Sequence, residues 1–480
     1  MSTDARLAEA LAENDRLREQ LAERDRVIQR LLTRVAKLEK DSSNSSKPPS
    51  SDLTKPSPQD DAAREAKLAR RREQHAKNAA KKRKKHDRKK SSHSACPLPT
   101  GRVDERIVHE LPPEEQRRLH AEPIPGAFAK LQRAELVDRP VRVSEHHVQL
   151  YRDARTGKTL PPAWPEHLAD RRLLGPRMLA WVSLLKAELH GSYRAIQTLL
   201  ADALELPVSL GTLENATARM SEALAGNHDE LLGAIRGQAV VNVDETGHAE
   251  AGKRAMTWAA TTPELTVFRV ADTRSTAELH ELLGGDFEGV IGSDHFSAYL
   301  RYAKDNPKAE HQFCWAHLIR EVRFVEKLTS SGAHGWFLEM DAAIRLLFRG
   351  WHRAEPSACE EAKRRILCAC EPSRAIGCPE VDRLQRRVRT QAAGYFRFLE
   401  DPGRGIEPTN NAAERVLRKL VMHRRVTQGT RGERGRRWWE RIFSVRATLR
   451  GRAESLFAHL VEAARAAAAG LPPPRVLAGA

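Results

Sequence analysis

The stretch VVNVDETGHAE, Val240–Glu250, decides how this chain is read. It opens as an apolar run and turns abruptly to Asp-Glu-Thr-Gly-His. Two more β-type runs follow at short spacing, RAMTWAATT and LTVFRVADT, and the three together predict an antiparallel meander. STAELHELLG then reads as a helix opened by a Ser/Thr cap, and GVIGSDHFSAY as a fourth strand ending at Asp294. AEHQFCWAHLIREV reads as a fifth strand running into a helix. Residues 320–400 are mostly helical in pattern, after which Thr409 is positioned to cap a further helix, NNAAERVLRKLVM.

Three hairpin strands, a helix, a strand, a helix and a strand is the order of an RNase H-like domain, here with a long helical insertion before its closing helix. In such a sheet Asp244 and Asp294 end neighbouring strands. On the helical wheel of residues 410–421, Ala413, Val416, Leu417, Leu420 and Val421 make one apolar face, with Asn411, Arg415 and Arg418 on the polar side. Glu414 sits at the border, where a carboxylate can point along the sheet edge. Magnesium is a hard cation that takes oxygen ligands and keeps positions open for phosphate. Two such ions about 4 Å apart can activate an attacking oxygen and stabilise a leaving one. No phosphate-binding Gly-Lys loop is present, so the phosphodiester itself is the expected energy source.

The rest of the chain points to a polyanion. The net charge is +17, but residues 62–90 alone carry 14 Lys/Arg against 3 Asp/Glu, and residues 415–452 carry 13 against 2. The remainder is mildly acidic, so the two segments look like a nucleic-acid footprint. Arg70, Arg71, Arg72, Lys81, Lys82, Arg83, Lys84 and Lys85 in the first, and Arg418, Arg424, Arg425 and Arg431 in the second, are the candidate DNA contacts. Trp438 and Trp439, interleaved with arginines, favour the same reading. Leu7, Ala10, Asn14, Leu17, Leu21, Arg24, Ile28, Leu31, Val35 and Leu38 fall on heptad a and d positions, which predicts a homo-oligomeric coiled coil over 1–40. A Ser/Pro-rich linker (41–61) and the basic segment (62–94) follow. Residues 95–170 read as a small β-containing module, with RIVHEL and VRVSEHHVQLY as its strands. Residues 171–228 read as a helix-turn-helix-like region with Ser209 or Thr212 as an N-cap. The catalytic domain spans 232–465, with its insertion at about 320–405, and a tail covers 466–480. No apolar run is long enough to span a membrane, and a cytoplasmic, nucleoid-associated protein is expected.

VDETGH, SDHFSAY, CWAHLIREV and PTNNAAERVLRKLVMHRRVTQGTRGERG, with the early SSNSSKPPSSD, closely resemble the insertion sequence 66 family of bacterial DDE transposases. The resemblance implies an α/β, RNase H-like core with Asp244, Asp294 and Glu414 as its acidic, metal-holding triad. It implies Mg²⁺ as cofactor, two ions with Mn²⁺ able to substitute. It also implies DNA with terminal inverted repeats and a target DNA as partners, with accessory proteins of the same element. Glu245, one residue on along the strand, should face the other side. Glu245, His248, His317 and Asn411 are expected around the carboxylates, not as metal ligands, with His248 just past the strand end. Many members of the family carry a Cys-rich zinc module after the linker, whereas this stretch has only Cys96, which argues against zinc there. The insertion's Cys359, Cys368, Cys370 and Cys378 match no zinc ribbon either. An RNase H-like nuclease such as a resolvase, or a non-enzymatic DNA-binding regulator built on residues 1–228, are the rival readings.

Overall fold

A computed structural model of the 480-residue chain describes residues 172–328 and 331–477 throughout, with 103–120, 140–151 and scattered positions elsewhere. Of the heptad region, Arg16, Arg18, Glu19, Gln20, Glu23, Arg24 and Val27 are helical. The expected linker and basic segment lie outside the described residues. The chain divides into two compact units, Lys55–Glu145 and the remainder.

The smaller unit contains helix α1 (Pro113–Leu119), begun by a proline at its first position. The strands expected at RIVHEL and VRVSEHHVQLY are not there. Both stretches are irregular, with Ile107 66%, Val108 61% and Val143 77% exposed. Alternation alone does not make a strand; it needs a partner edge and a core to face, and these segments have neither among the described residues.

The larger unit begins with four helices, α2 (Pro176–Glu188), α3 (Tyr193–Leu204), α4 (Leu210–Ala223) and α5 (Ala225–Arg236). Ser192 and Ser209 cap α3 and α4 by accepting the N–H groups of Ala195 and Thr212, each at 3.1 Å. A mixed five-stranded sheet follows: β1 (Val240–Glu250), β2 (Lys253–Thr261), β3 (Thr266–Ala271), β4 (Val290–Ser293) and β5 (Glu310–Phe313), in the order β3-β2-β1-β4-β5. The first three are antiparallel, whereas β4 and β5 add in parallel to β1. The β1–β2 turn is Ala251-Gly252, both at positive φ, as a two-residue hairpin of this hand requires. Helices α6 (Thr276–Leu283) and α7 (Ser297–Asp305) make the crossovers to β4 and β5.

Helix α8 (Trp315–Val325) leaves β5 and leads into the insertion, α9 (Ser331–His352), α10 (Pro356–Ala369), α11 (Pro379–Thr390) and α12 (Ala392–Glu400). The insertion has its own apolar core and is stitched to the sheet edge through β5. Gln312 donates to Tyr395 O at 3.3 Å and accepts Phe398 N–H at 2.9 Å, and Trp315 Nε1 donates to Tyr395 O at 2.5 Å.

The chain then returns to the sheet as α13 (Asn411–Thr427), followed by α14 (Gly432–Gly451) and α15 (Leu456–Ala468). Helix α14 covers the β3 edge in register. Glu440, Ser444 and Thr448, four residues apart, accept the N–H groups of Val270, Phe268 and Thr266 at 2.7, 2.9 and 3.1 Å. An edge that would template further pairing is thereby closed by side chains. Helices α2–α5 share one hydrophobic cluster with the sheet, α14 and α15, so the boundary expected near residue 230 does not separate two cores. Helix α4 packs against α2, α3, α14 and α15, and its outward positions include Glu214 and Glu222.

Between α13 and α14 the chain turns through Gln428 (φ 62°) and Gly429 (φ 88°) and docks on the end of β1. Thr430 N donates to Ala249 O at 2.9 Å and Ala251 N to Thr430 O at 2.8 Å. A Cβ on Gly429 would collide with the Ala249 carbonyl. Gly429→Ala should therefore lower the melting temperature by about 2 °C or more, since the left-handed conformation alone costs about 1 kcal/mol or more. Thermal unfolding followed by circular dichroism checks this, and an unchanged midpoint would mean the loop is not anchored as described.

Candidate active site

Asn242 pairs with Gly292 across β1 and β4. Two residues further along each strand stand Asp244 and Asp294. Asp244 lies within β1, opposite Ala259 of β2, and Asp294 directly follows β4. Asp244 Oδ1 accepts the N–H of Glu245 at 2.9 Å, and Asp294 Oδ1 accepts that of Phe296 at 3.0 Å. Glu414 arrives on the first turn of α13, which packs on β1 and β2.

The three carboxylates act on one another. Burial raises the Asp244 pKa well above the usual carboxylate range, and Glu245, Asp294 and Glu414 raise it further by repulsion. Among the described residues no cation counts among its principal influences. Burial also raises Asp294, with the Phe296 N–H and the charge of Arg274 acting against it. Glu414 is raised by burial, opposed by Arg320 and Arg418, with Asp294 adding repulsion. Asp244, desolvated among three other acids, is the carboxylate that a bound cation would relieve most. The donor set is all oxygen and suits a hard divalent ion. Among the described residues no three His, Cys, Asp or Glu side chains converge tightly enough to hold a metal as they stand, so closing on one requires side-chain rotation.

What brings Glu414 to Asp244 is a residue the sequence reading passed over. Asn410, the N-cap of α13, is 1% exposed. Its Oδ1 accepts from Asn242 Nδ2 at 2.9 Å, its Nδ2 donates to Val243 O at 2.7 Å, and its backbone N–H donates to Cys314 Sγ at 3.1 Å. Cys314 N in turn donates to Ser293 O at 2.8 Å. One side chain thus ties the start of α13 to β1, while its backbone ties it to the link that holds β4. The signal was present in the Asn-Asn pair, but Asn is also a common surface residue. Asn411 took the emphasis instead, and its Oδ1 is buried without a partner among the described residues. Thr409, expected as the cap, lies one residue too early.

Of the surrounding residues, His248 departs from expectation. The Glu245 side chain is 1% exposed and takes hydrogen bonds from Tyr299 and Arg274, and its charge is the strongest of those that raise Asp244. Arg274 also lies 3.7 Å from the centre of the Phe296 ring. His248 is not past the strand end. It is inside β1 and buried, bonded to Thr430 Oγ1 at 2.8 Å and Thr257 Oγ1 at 3.0 Å, with its ring edge-on to Trp439. Burial, with Arg424 and Arg436 nearby, lowers its pKa to about 4. Both ring nitrogens are engaged, so it holds the α13–α14 loop to β1 and does not face the carboxylates as a free group. His317 on α8 does approach them, with Nε2 4.0 Å from Glu414 Oε1, and burial lowers its pKa to about 4 as well.

The second basic segment is less available than its charge suggests. Arg436 bonds Glu250 at 2.7 Å and Asp272 at 2.6 Å, Arg437 bonds Glu433 at 2.9 Å, and Arg441 bonds Glu222 at 2.9 Å. Arg446 bonds Glu188 and Arg452 bonds Glu454, at 2.5 and 2.8 Å. Trp438 and Trp439 are core residues, 5% and 1% exposed. Arg424 is half-buried and donates to Thr246 Oγ1 at 3.1 Å. Arg418, Arg425 and Arg431 remain exposed. The candidate contacts from Arg70 to Lys85 lie outside the described residues.

A protein-family model described as Transposase IS66 family matches residues 171–437, more than half of the chain, and the chain belongs to that family. A second model, a family of unknown function (DUF6444), matches residues 1–89. No curated protein matches the chain.

Asn410→Ala should cost about 2–5 kcal/mol of stability, because it leaves the Asn242 amide and the Val243 carbonyl buried without partners. Asn411→Ala should cost less than about 1 kcal/mol. Urea unfolding of both variants checks the contrast, and equal losses would remove Asn410 from its anchoring role.

Proposed function

We propose that the chain is a DNA transposase that cleaves transposon ends and joins them to target DNA, with Asp244, Asp294 and Glu414 holding the divalent ions. The family supplies the transposase role. The observation that carries the finer reading is the mutual repulsion of three carboxylates drawn from β1, from the end of β4 and from α13. The strand order, three antiparallel strands extended by two parallel ones, is what an RNase H-like core requires and supports that reading too.

Bound to the carboxylates, Mg²⁺ or Mn²⁺ would supply charge stabilisation for the attacking and leaving oxygens of an in-line displacement. In end cleavage, an oxygen of water bonds to the scissile phosphorus as the bond to the strand's 3′ oxygen breaks. In joining, that 3′ hydroxyl oxygen bonds to a phosphorus of the target as the bond to the target strand's own 3′ oxygen breaks, leaving a new 3′ hydroxyl on the target. The chain's own groups prepare this. Asn410 fixes where Glu414 stands, Arg274 is held beside Asp294 by Glu245, and a neutral His317 sits against Glu414. Exposed Arg418, Arg425 and Arg431 are the proposed positioning contacts for the DNA backbone. Assembly through residues 1–40, and help from other proteins of the element, complete the proposal.

Asp244→Asn, Asp294→Asn and Glu414→Gln each keep shape and remove one negative charge. Each should slow cleavage of a labelled transposon end in magnesium on the order of a thousandfold or more, as expected if cation binding contributes several kcal/mol to the transition state. DNA affinity in a gel shift and the melting temperature should stay near those of the parent, since relieved repulsion is neutral or mildly stabilising. Glu245→Gln should cost much less in rate. Cleavage at the parent rate by Glu414→Gln would place the third carboxylate elsewhere.

A further inference from the structure

The loop TQGTRGERG, Thr427–Gly435, belongs to the motif that marks the family, yet the carboxylate site makes no use of its far side. That side walls a cavity of about 780 Å³, closed opposite by Lys186 of α2 and Tyr193 of α3. Two features of the cavity call for an anion. The first is the start of α14. This 20-residue helix begins at Gly432, its N-cap Arg431 makes no side-chain capping bond, and Gly432, Glu433, Arg434 and Gly435 all line the cavity. The uncapped N–H groups and the positive end of the helix dipole therefore open on it. Glu433 is the acid in that turn, and its charge is paired with Arg437 at 2.9 Å.

The second feature is Lys186. Its ammonium lies 4.0 Å from the centre of the Tyr193 ring and 5.2 Å from that of Trp438, with no carboxylate as a counter-charge among the described residues. Burial lowers its pKa to about 8. A cation taken out of water and left against ring faces, without an acid, is costly unless an anion joins it. Trp438 and Trp439 complete the cavity wall with their rings, and their indole N–H groups are shut away from it. Arg431 and Arg434 stand at the mouth, where Glu214 is the remaining acid.

We propose that this cavity is a phosphate-binding site, and that the phosphate belongs to a DNA strand lying along Arg425 and Arg431. The anion site stands on the cavity alone; its assignment to DNA rests on the transposase reading. The rigid docking of the loop on β1 would hold the site at a fixed distance from the carboxylates, so one bound phosphate would set the register of the strand.

The test has two arms, both on the full chain. In the first, melting temperature is measured in inorganic phosphate against chloride at equal ionic strength. Phosphate should raise the midpoint of the parent, and Lys186→Met should abolish that rise while itself melting no lower. Arg434→Gln, exposed and at the mouth, should reduce the rise and carries the comparison should Lys186→Met not fold. In the second arm, labelled duplex DNA is bound at graded salt. Lys186→Met should weaken binding about tenfold and reduce the salt slope by about one. A phosphate effect lost in Lys186→Met with unchanged DNA binding upholds the anion site and overturns its assignment to DNA. Phosphate that does no more than chloride, or that acts equally on parent and variant, overturns the site. The first arm involves neither DNA nor cleavage, so its failure leaves the carboxylate reading standing, and the reverse holds too.

Discussion

The Asn410 side chain is the interaction on which the rest depends. Glu414 is 170 residues after Asp244 in the sequence, and the insertion intervenes. Something must register the returning helix against the strand, and a hydrophobic face alone leaves a helix free to slide. The Asn410 amide meets one donor and one acceptor of β1, Asn242 Nδ2 and Val243 O, and fixes the contact at a single position. Gly292 makes it possible. A Cβ there would lie 2.5 Å from Asn242 Nδ2, so only glycine on β4 lets the Asn242 amide reach across to α13. Because Asn410 N–H also meets Cys314, which holds Ser293 at the end of β4, the elements that carry the three carboxylates share one small polar knot. Buried and satisfied, such a knot specifies a geometry at little net cost; broken, it leaves orphaned groups.

Around the knot the charges are sorted. The acids at the sheet's centre repel one another and gain no stability from doing so. The arginines of α14 are instead tied to carboxylates of α2, α4, β1 and its own first turn. This is why a run with a net charge of +11 does not translate into an equally basic surface. Arg418 and Arg425 on α13 and Arg431 and Arg434 after it are among those left exposed. Met422 and Val426, 47% and 57% exposed, also lie on α13.

Much of the sheet was legible because its strands are short apolar runs ended by turn chemistry. The two-residue turn after Glu250 and the apolar runs of β2 and β3 leave few alternatives to a meander. The approach of Glu414 to Asp244 was legible from its place at the border of an apolar face. Tertiary partners explain what was not. The apolar start of β1 suggested a strand ending before His248, yet pairing with β2 carries it on to Glu250, and so His248 is interior. Trp438 and Trp439 sit among arginines in sequence, but on the helix they turn inward while the arginines turn to acids. RIVHEL alternates like a strand, but no edge receives it. Asn410 could not be distinguished from Asn411 without the partners that one has and the other lacks.

The central claim is that Asp244, Asp294 and Glu414 hold divalent ions jointly. Manganese binding followed by electron paramagnetic resonance tests it without DNA or turnover. The full chain should take up Mn²⁺, and Asp244→Asn should leave it free at concentrations that load the parent. Asp272→Asn, which changes an acid paired with Arg436 away from the site, should bind as the parent does. Undiminished Mn²⁺ binding by Asp244→Asn, with the same number of ions and the same affinity, would contradict it.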